Sequence, residues 1–286
     1  MPSLIDIRRR IRSVKSTQQI TKAMKMVSAA KLRRAQDRVI AARPYVAMLR
    51  QALADVAAST AGDERAGANP LLAHRPEERI LLVLYTADKG LAGAFNTNLI
   101  KGAQRFISEH GGAGVTLELI GRKGRDFFRK RSANISGDHI NLGAKPSCDA
   151  IAPIAREAME KFRSCQIDAV YLLYNEFKSV MSQRLTVTRV LPVPLPEAAG
   201  APSYIFEQPA PELLDQLLPR YVEIEFFRAL LESTAAEQAA RMTAMEAATS
   251  NAAEMIEKLT LHMNRVRQAS ITKEIIEVVS GAAAAG

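Results

Sequence analysis

The 286-residue chain has no tryptophan, and only 5% of its residues are aromatic. Its hydrophobic share of 48% therefore rests mostly on alanine, leucine, isoleucine and valine, which suits closely packed helices. Cys148 and Cys165 are the only cysteines, too few for a disulfide framework or a four-thiolate metal site, so a reducing compartment is expected. No apolar run approaches the roughly 20 residues of a membrane span. The opening MPSLIDIRRR has no secretory core and Asp6 speaks against a transit peptide, so we expect a bacterial-type cytoplasmic protein without a cleaved leader. His74, His110, His139 and His262 lack metal-ligand spacing, and neither a G-x-S-x-G elbow nor a Cys–His pairing is present. No catalytic, metal or cofactor site is expected.

Glycine and proline are absent between Arg220 and Gly281. Within that stretch Leu231, Ala235, Gln238, Met242, Met245, Thr249, Ala252, Ile256, Leu259, Met263 and Val266 are spaced alternately four and three apart. That is a heptad seam, and at 1.5 Å per residue the helix would reach roughly 90 Å, too long to fold into one compact core. It needs a partner along its length.

The other end of the chain supplies one. Leu32, Ala35, Val39, Ala42, Val46, Leu49, Leu53 and Val56 repeat the same spacing, with Pro44 expected to kink the helix or interrupt one hydrogen bond. Further upstream, Ile7, Ile11 and Val14 form one apolar stripe and Ile20, Met24 and Val27 another. Two heptad helices at opposite ends of one chain most simply pair antiparallel, with the intervening segment inserted at one tip.

The net charge of +9 is unevenly placed: residues 1–50 carry thirteen Lys or Arg and only Asp6 and Asp37 as acids. Such an arm suits nucleic acid, an anionic surface or an acidic protein partner, unless it is simply a solvated face. Against nucleic acid, base-stacking aromatics are missing from this arm apart from Tyr45, the only Phe, Tyr or Trp before Tyr85.

Thirteen of the fifteen glycines fall between Gly62 and Gly200. Apolar runs at 79–86, 115–121 and 168–177 and the alternating RLTVTRVLPV at 184–193 read as strands. They are separated by helical stretches near 96–110, from 122, and at 149–163, a small α/β layer with a mostly parallel sheet. Gly90 with Gly93, and Gly121 with Gly124, follow strands. They fit neither G-x-x-x-x-G-K-[ST] nor G-x-G-x-x-G, and tight turns explain both pairs without a ligand. A nucleotide-binding enzyme built on this layer is thus the weaker alternative. The expected organisation is a first helix over 1–61, a Rossmann-like α/β insert over 62–211, and a closing helix over 212–286. Pro219 would break off or kink the first turn of that last helix.

Several stretches carry a resemblance. ITKE at 271–274, Glu277 and Gly281–Ala282 resemble the closing signature of the gamma subunits of F-type ATP synthases. IRRRIRSVKSTQQITKAMKMVSAAKLRRAQ, ARPY, TADKGLAGAFNTNL, IGRKGRDFF and EQAARMTAMEAATSNA are similar to further parts of that family, in order along the whole chain. The resemblance implies a non-catalytic rotor shaft: an antiparallel coiled coil of the terminal helices inside a head of alpha and beta subunits. The α/β insert would be a foot on the epsilon subunit and the membrane ring of c subunits, at the cytoplasmic face of the bacterial plasma membrane. It also implies contacts with an acidic loop of the catalytic subunits near Lys22, Met24 and Lys25, and further head contacts at Arg267, Gln268, Thr272 and Glu274. Tyr204 and Glu207 would meet the rotor ring. Met24 can equally serve as a seam residue. No nucleic-acid partner and no cofactor are implied.

Overall fold

The computed structural model describes residues 3–59, 69–112, 114–131, 133–195 and 207–285. Helix α1 runs Leu4–Ser59. Its first turn is closed by a reciprocal cap: Ser3 Oγ accepts from the Asp6 N–H, and the Asp6 carboxylate accepts from the Ser3 N–H and hydroxyl. Strand β1 (Ile80–Tyr85), helix α2 (Phe95–Glu109), strand β2 (Val115–Ile120), helix α3 (Arg122–Arg129) and strand β3 (Ile135–His139) follow. Then come helix α4 (Cys148–Arg163), strands β4 (Ala169–Phe177) and β5 (Gln183–Leu191), and helix α5 (Ala210–Ala285). Short 3-10 turns lie at Pro70–Leu72 and Leu142–Ala144. Among the described residues, no helix is long and apolar enough to cross a membrane.

The sheet order is β3-β2-β1-β4-β5. The first four strands are mutually parallel and β5 is antiparallel to β4. Strand β3 is absent from the sequence reading because ISGDH has no apolar alternation. It is held by its backbone ladder and by His139 Nε2, 2.8 Å from the buried Glu118 carboxylate. Pro219 lies inside α5 without ending it, so the helix begins before it, at Ala210, where Pro211 sits harmlessly in the first turn.

Two compact units divide the chain, one of residues 29–241 and one of 1–28 with 242–286. In the larger unit, alternate residues of β1 separate the two faces of the sheet. Leu81, Val83 and Tyr85 join Val170, Leu172 and Tyr174, α4, the end of α1 (Leu49, Leu53, Val56) and the start of α5 (Leu218, Val222, Phe226) in one core. The Tyr85 hydroxyl donates to the Phe226 carbonyl at 3.0 Å, fixing the sheet against α5. Burial of that hydroxyl pushes its pKa well up.

In this unit α1 and α5 run antiparallel, as two cross-helix ion pairs show: Arg43 reaches Glu232 at 3.7 Å and Arg50 reaches Glu225 at 2.7 Å. Glu225 also receives two hydrogen bonds from Arg228, and Glu223 is held by Arg156 and Arg220. Each of these carboxylates is buried, so its stability rests on those partners. The second heptad run lies inward throughout: Leu32, Ala35, Val39, Val46, Leu49, Leu53 and Val56 are buried and Ala42 is half-buried.

Glycine is required at Gly121, where the chain leaves β2 for α3. Its φ is +101°, and a Cβ there would stand 2.0 Å from the Thr86 carbonyl oxygen.

Candidate functional site

In the smaller unit the two chain ends pair antiparallel through a polar seam. Thr249 Oγ1 lies 2.8 Å from Thr21 Oγ1, and Lys25 Nζ lies 2.6 Å from Glu246 Oε1. Thr21 and Ser28 are buried and Gln18 is half-buried, whereas Ile20 and Val27 are 57% and 55% exposed. The apolar stripe expected at Ile20, Met24 and Val27 is therefore corrected: two of its three members face outward. The true seam continues the regular spacing backward from Leu32 through Ser28, Lys25, Thr21, Gln18, Val14, Ile11 and Ile7. Unbroken heptad phase was the available signal, but the polar side chains hid it. On the facing helix Met245 and Ala252 are buried and Met242, Thr249, Ile256, Leu259, Met263 and Val266 half-buried, in line with the seam read from their spacing.

A groove of about 480 Å³ runs along this polar stretch, lined by Gln18, Gln19, Lys22, Lys25, Glu246 and Thr249 among others. Lys22 is exposed on its rim and Lys25 is half-buried in its wall. Met24 is half-buried beside them. Glu246, the partner that holds Lys25, was not singled out from the sequence.

The other expected contact residues lie well along α5. Carrying the pairing of Lys25 with Glu246 down to Leu4 puts the start of α1 level with Arg267. About 20 helical residues, roughly 30 Å, thus separate the Lys22–Lys25 group from Arg267 and Gln268, and the fold does not bring the two groups together. Arg267, Gln268, Thr272 and Glu274 are all exposed. The Thr272 hydroxyl donates to the Gln268 carbonyl at 2.9 Å, and Ser270 Oγ donates to Glu274 at 3.2 Å. Every residue from 271 to 280 is exposed, including Ile271, Ile275, Ile276, Val278 and Val279. Such an apolar helical end has no cover within the described chain. Glu207 is exposed at the bend before α5; Tyr204 lies outside the described residues.

Among the described residues no group of three His, Cys, Asp or Glu could hold a metal ion. Lysine and arginine project from a helical pair whose seam is polar around Thr21 and Thr249 and whose far end is apolar.

A family model described as ATP synthase matches residues 3–285. The chain is 72% identical over 285 residues to an ATP synthase gamma chain of Solibacter usitatus, covering 100% of both. It is 52% identical to that of an Anaeromyxobacter species, covering 99% of each. Among solved structures, a chain of the Tetrahymena thermophila mitochondrial ATP synthase central stalk and c-ring aligns with TM-score 0.63 and 25% identity, over 80% of this chain and 99% of that one. A chain of the Euglena gracilis mitochondrial ATP synthase, a structure of OSCP, F1 and c-ring, aligns with TM-score 0.67 and 20% identity, over 98% and 94%, a likeness of fold.

Proposed function

The chain belongs to the ATP synthase gamma family, and on that premise we propose that it is the non-catalytic rotor shaft of a proton-translocating F-type enzyme. Rotation of the membrane ring would be carried by the α/β insert and the paired helices to the head. Different sides of the shaft would then meet the catalytic subunits in turn. Because the two terminal helices are chemically unlike along their length, each orientation offers a different set of contacts, which is what a mechanical shift in nucleotide affinity requires.

The observation that carries this reading is the helical end from Ile271 to Val279, apolar, exposed, and lying past the start of its partner helix. Water alone makes such an end a liability; an enclosing sleeve of alpha and beta subunits would cover it. Lys22, Met24 and Lys25 are proposed to face an acidic loop of the catalytic subunits, with Arg267, Gln268, Thr272 and Glu274 contacting the head nearer the tip. Tyr204 and Glu207 are proposed for the rotor ring, beside the epsilon subunit. The complex would sit at the cytoplasmic face of the plasma membrane, with no membrane span contributed by this chain. Affinity purification of the tagged chain from its native membrane tests the proposal. It should bring down two larger head subunits, epsilon and ring subunits together with ATPase activity; recovery alone, or with nucleic acid, would refute it.

A further inference from the structure

At the carboxyl ends of β1 and β3, Asp88–Lys89 and the Asn141–Pro146 loop face α1 and α5 around a recess of about 260 Å³. Open parallel sheets characteristically place ligands at this end of their strands. Four cations converge on it from two directions: Lys31, Arg34 and Arg38 along one face of α1, and Lys89 from the loop after β1. The acids nearby are already engaged. Asp88 accepts from the backbone N–H groups of Arg122 and Asn141 at 3.1 and 3.0 Å, tying three loops together. Glu237 is bound by Arg241 at 2.7 Å, and that guanidinium also donates to the Lys89 and Gly90 carbonyls, forming a closed floor.

Among the described residues, Lys31, Arg34, Arg38 and Lys89 form no ion pair, whereas Arg43 and Arg50 further along α1 are each met by a glutamate of α5. Like charges three and four apart on a helix repel one another, and with five cations against Asp88 and Glu237 the recess stays net positive, so a bound anion would offset the cluster. The guanidinium forks of Arg34 and Arg38 suit paired phosphate oxygens, and the lysines add point charges. Among the described residues no Phe, Tyr or Trp lines the recess, so no aromatic ring there would stack a nucleobase. The carbonyls of Lys89 and Gly90 turn towards Arg241, so the anion would be gripped by side chains and not by a glycine-rich amide cradle.

We propose that this recess binds an oligophosphate: inorganic pyrophosphate or tripolyphosphate, or the phosphate tail of a nucleotide. The proposal goes beyond the rotor reading and does not depend on it.

Isothermal titration of the purified full chain at fixed ionic strength tests it, with pyrophosphate, tripolyphosphate, ATP, sulfate and an oligoglutamate peptide as probes. Saturable one-to-one binding of pyrophosphate and tripolyphosphate is expected, with sulfate weaker by about tenfold or more. ATP matching tripolyphosphate would identify free oligophosphate chemistry as sufficient; tighter ATP would point to a nucleotide source. Arg34→Gln with Arg38→Gln should weaken pyrophosphate by about tenfold or more, while Arg8→Gln with Arg9→Gln leaves it unchanged. All four arginines are exposed, so the fold is retained in both variants, which circular dichroism checks. Absence of saturable binding, or equal weakening in the two variants, would overturn the proposal. Binding of oligoglutamate without pyrophosphate would also overturn it, assigning the recess to an acidic protein segment.

Discussion

The hydroxyl oxygens of Thr21 and Thr249 lie 2.8 Å apart across the helix seam, and each also lies within hydrogen-bond distance of a carbonyl in its own helix. Thr21 approaches the Gln18 carbonyl at 3.0 Å and Thr249 the Met245 carbonyl at 2.7 Å. Two hydroxyl protons thus serve three contacts: whichever threonine donates along its own helix accepts across the seam from the other. A polar layer of this kind fixes register where apolar residues alone would allow slippage.

Replacing either threonine by valine should lower stability by about 1 kcal/mol, since its partner loses the cross-seam bond. Replacing both should cost less than the sum. A urea-denaturation double-mutant cycle on the full chain measures this coupling, and strictly additive losses would contradict it.

The glutamates that join the two long helices should differ sharply in their worth. Glu225 is 1% exposed and holds Arg50 and Arg228, so Glu225→Gln leaves the half-buried Arg228 guanidinium without its counter-charge and should cost about 3 kcal/mol. Glu246 pairs with Lys25 at an exposed position, and Glu246→Gln should stay within about 1 kcal/mol of the parent. Chemical denaturation of the two variants decides the comparison; equal losses would mean the burial of Glu225 carries no energetic weight.

Stability should fall on the acid side through Asp168. Its carboxylate accepts from the side chain and backbone N–H of Arg79, which lowers its pKa below the ordinary carboxylate value, with burial partly opposing. The folded state thus holds this proton less tightly than the unfolded chain. The contribution is present above the unfolded pKa and is lost as pH falls through the folded one. Glu232 has the opposite sign: burial raises its pKa, so its contribution weakens as pH rises from the unfolded value through the folded one. Melting temperatures from pH 6 down to pH 3 should drop less steeply for Asp168→Asn than for the parent. An unchanged slope would remove Asp168 from the acid response.

Met24 tests the proposed head contact. Met24→Lys adds a third cation to the Lys22–Lys25 group, opposite the proposed acidic loop. In membranes bearing the assembled enzyme, coupling of hydrolysis to proton pumping should suffer more than hydrolysis itself. Parallel losses of both activities would argue against a contact that transmits rotation.

Much of this architecture is legible in the residues, and the exceptions have physical causes. The seam from Leu32 to Val56 and that from Leu231 to Val266 follow from regular apolar spacing, which any buried helix face requires. Strands β1, β2 and β4 are apolar runs, and β5 alternates as expected for a strand at the sheet edge. Strand β3 escapes detection because Ser136, Gly137 and Asp138 supply no apolar signal and the backbone ladder does the holding. Around Thr21 the seam is misread because it is polar there, and apolar Ile20 and Val27 on the outer face look like the better core. The Lys25–Glu246 pair is also hidden, since nothing in a sequence brings positions so far apart together. The recess formed by Lys31, Arg34, Arg38 and Lys89 needs the topology of the sheet before its cations can be seen to converge.

Rotation itself is the most direct test of the shaft reading. Cys165 is exposed and Cys148 half-buried, so Cys148→Ser leaves one exposed thiol on the α/β insert for attaching a bead. With the assembled enzyme fixed to glass through its head, ATP should drive sustained one-way turning of that bead, and the motion should stop when ATP is removed. ATP hydrolysis at full rate while the bead only fluctuates about a fixed angle would contradict the account.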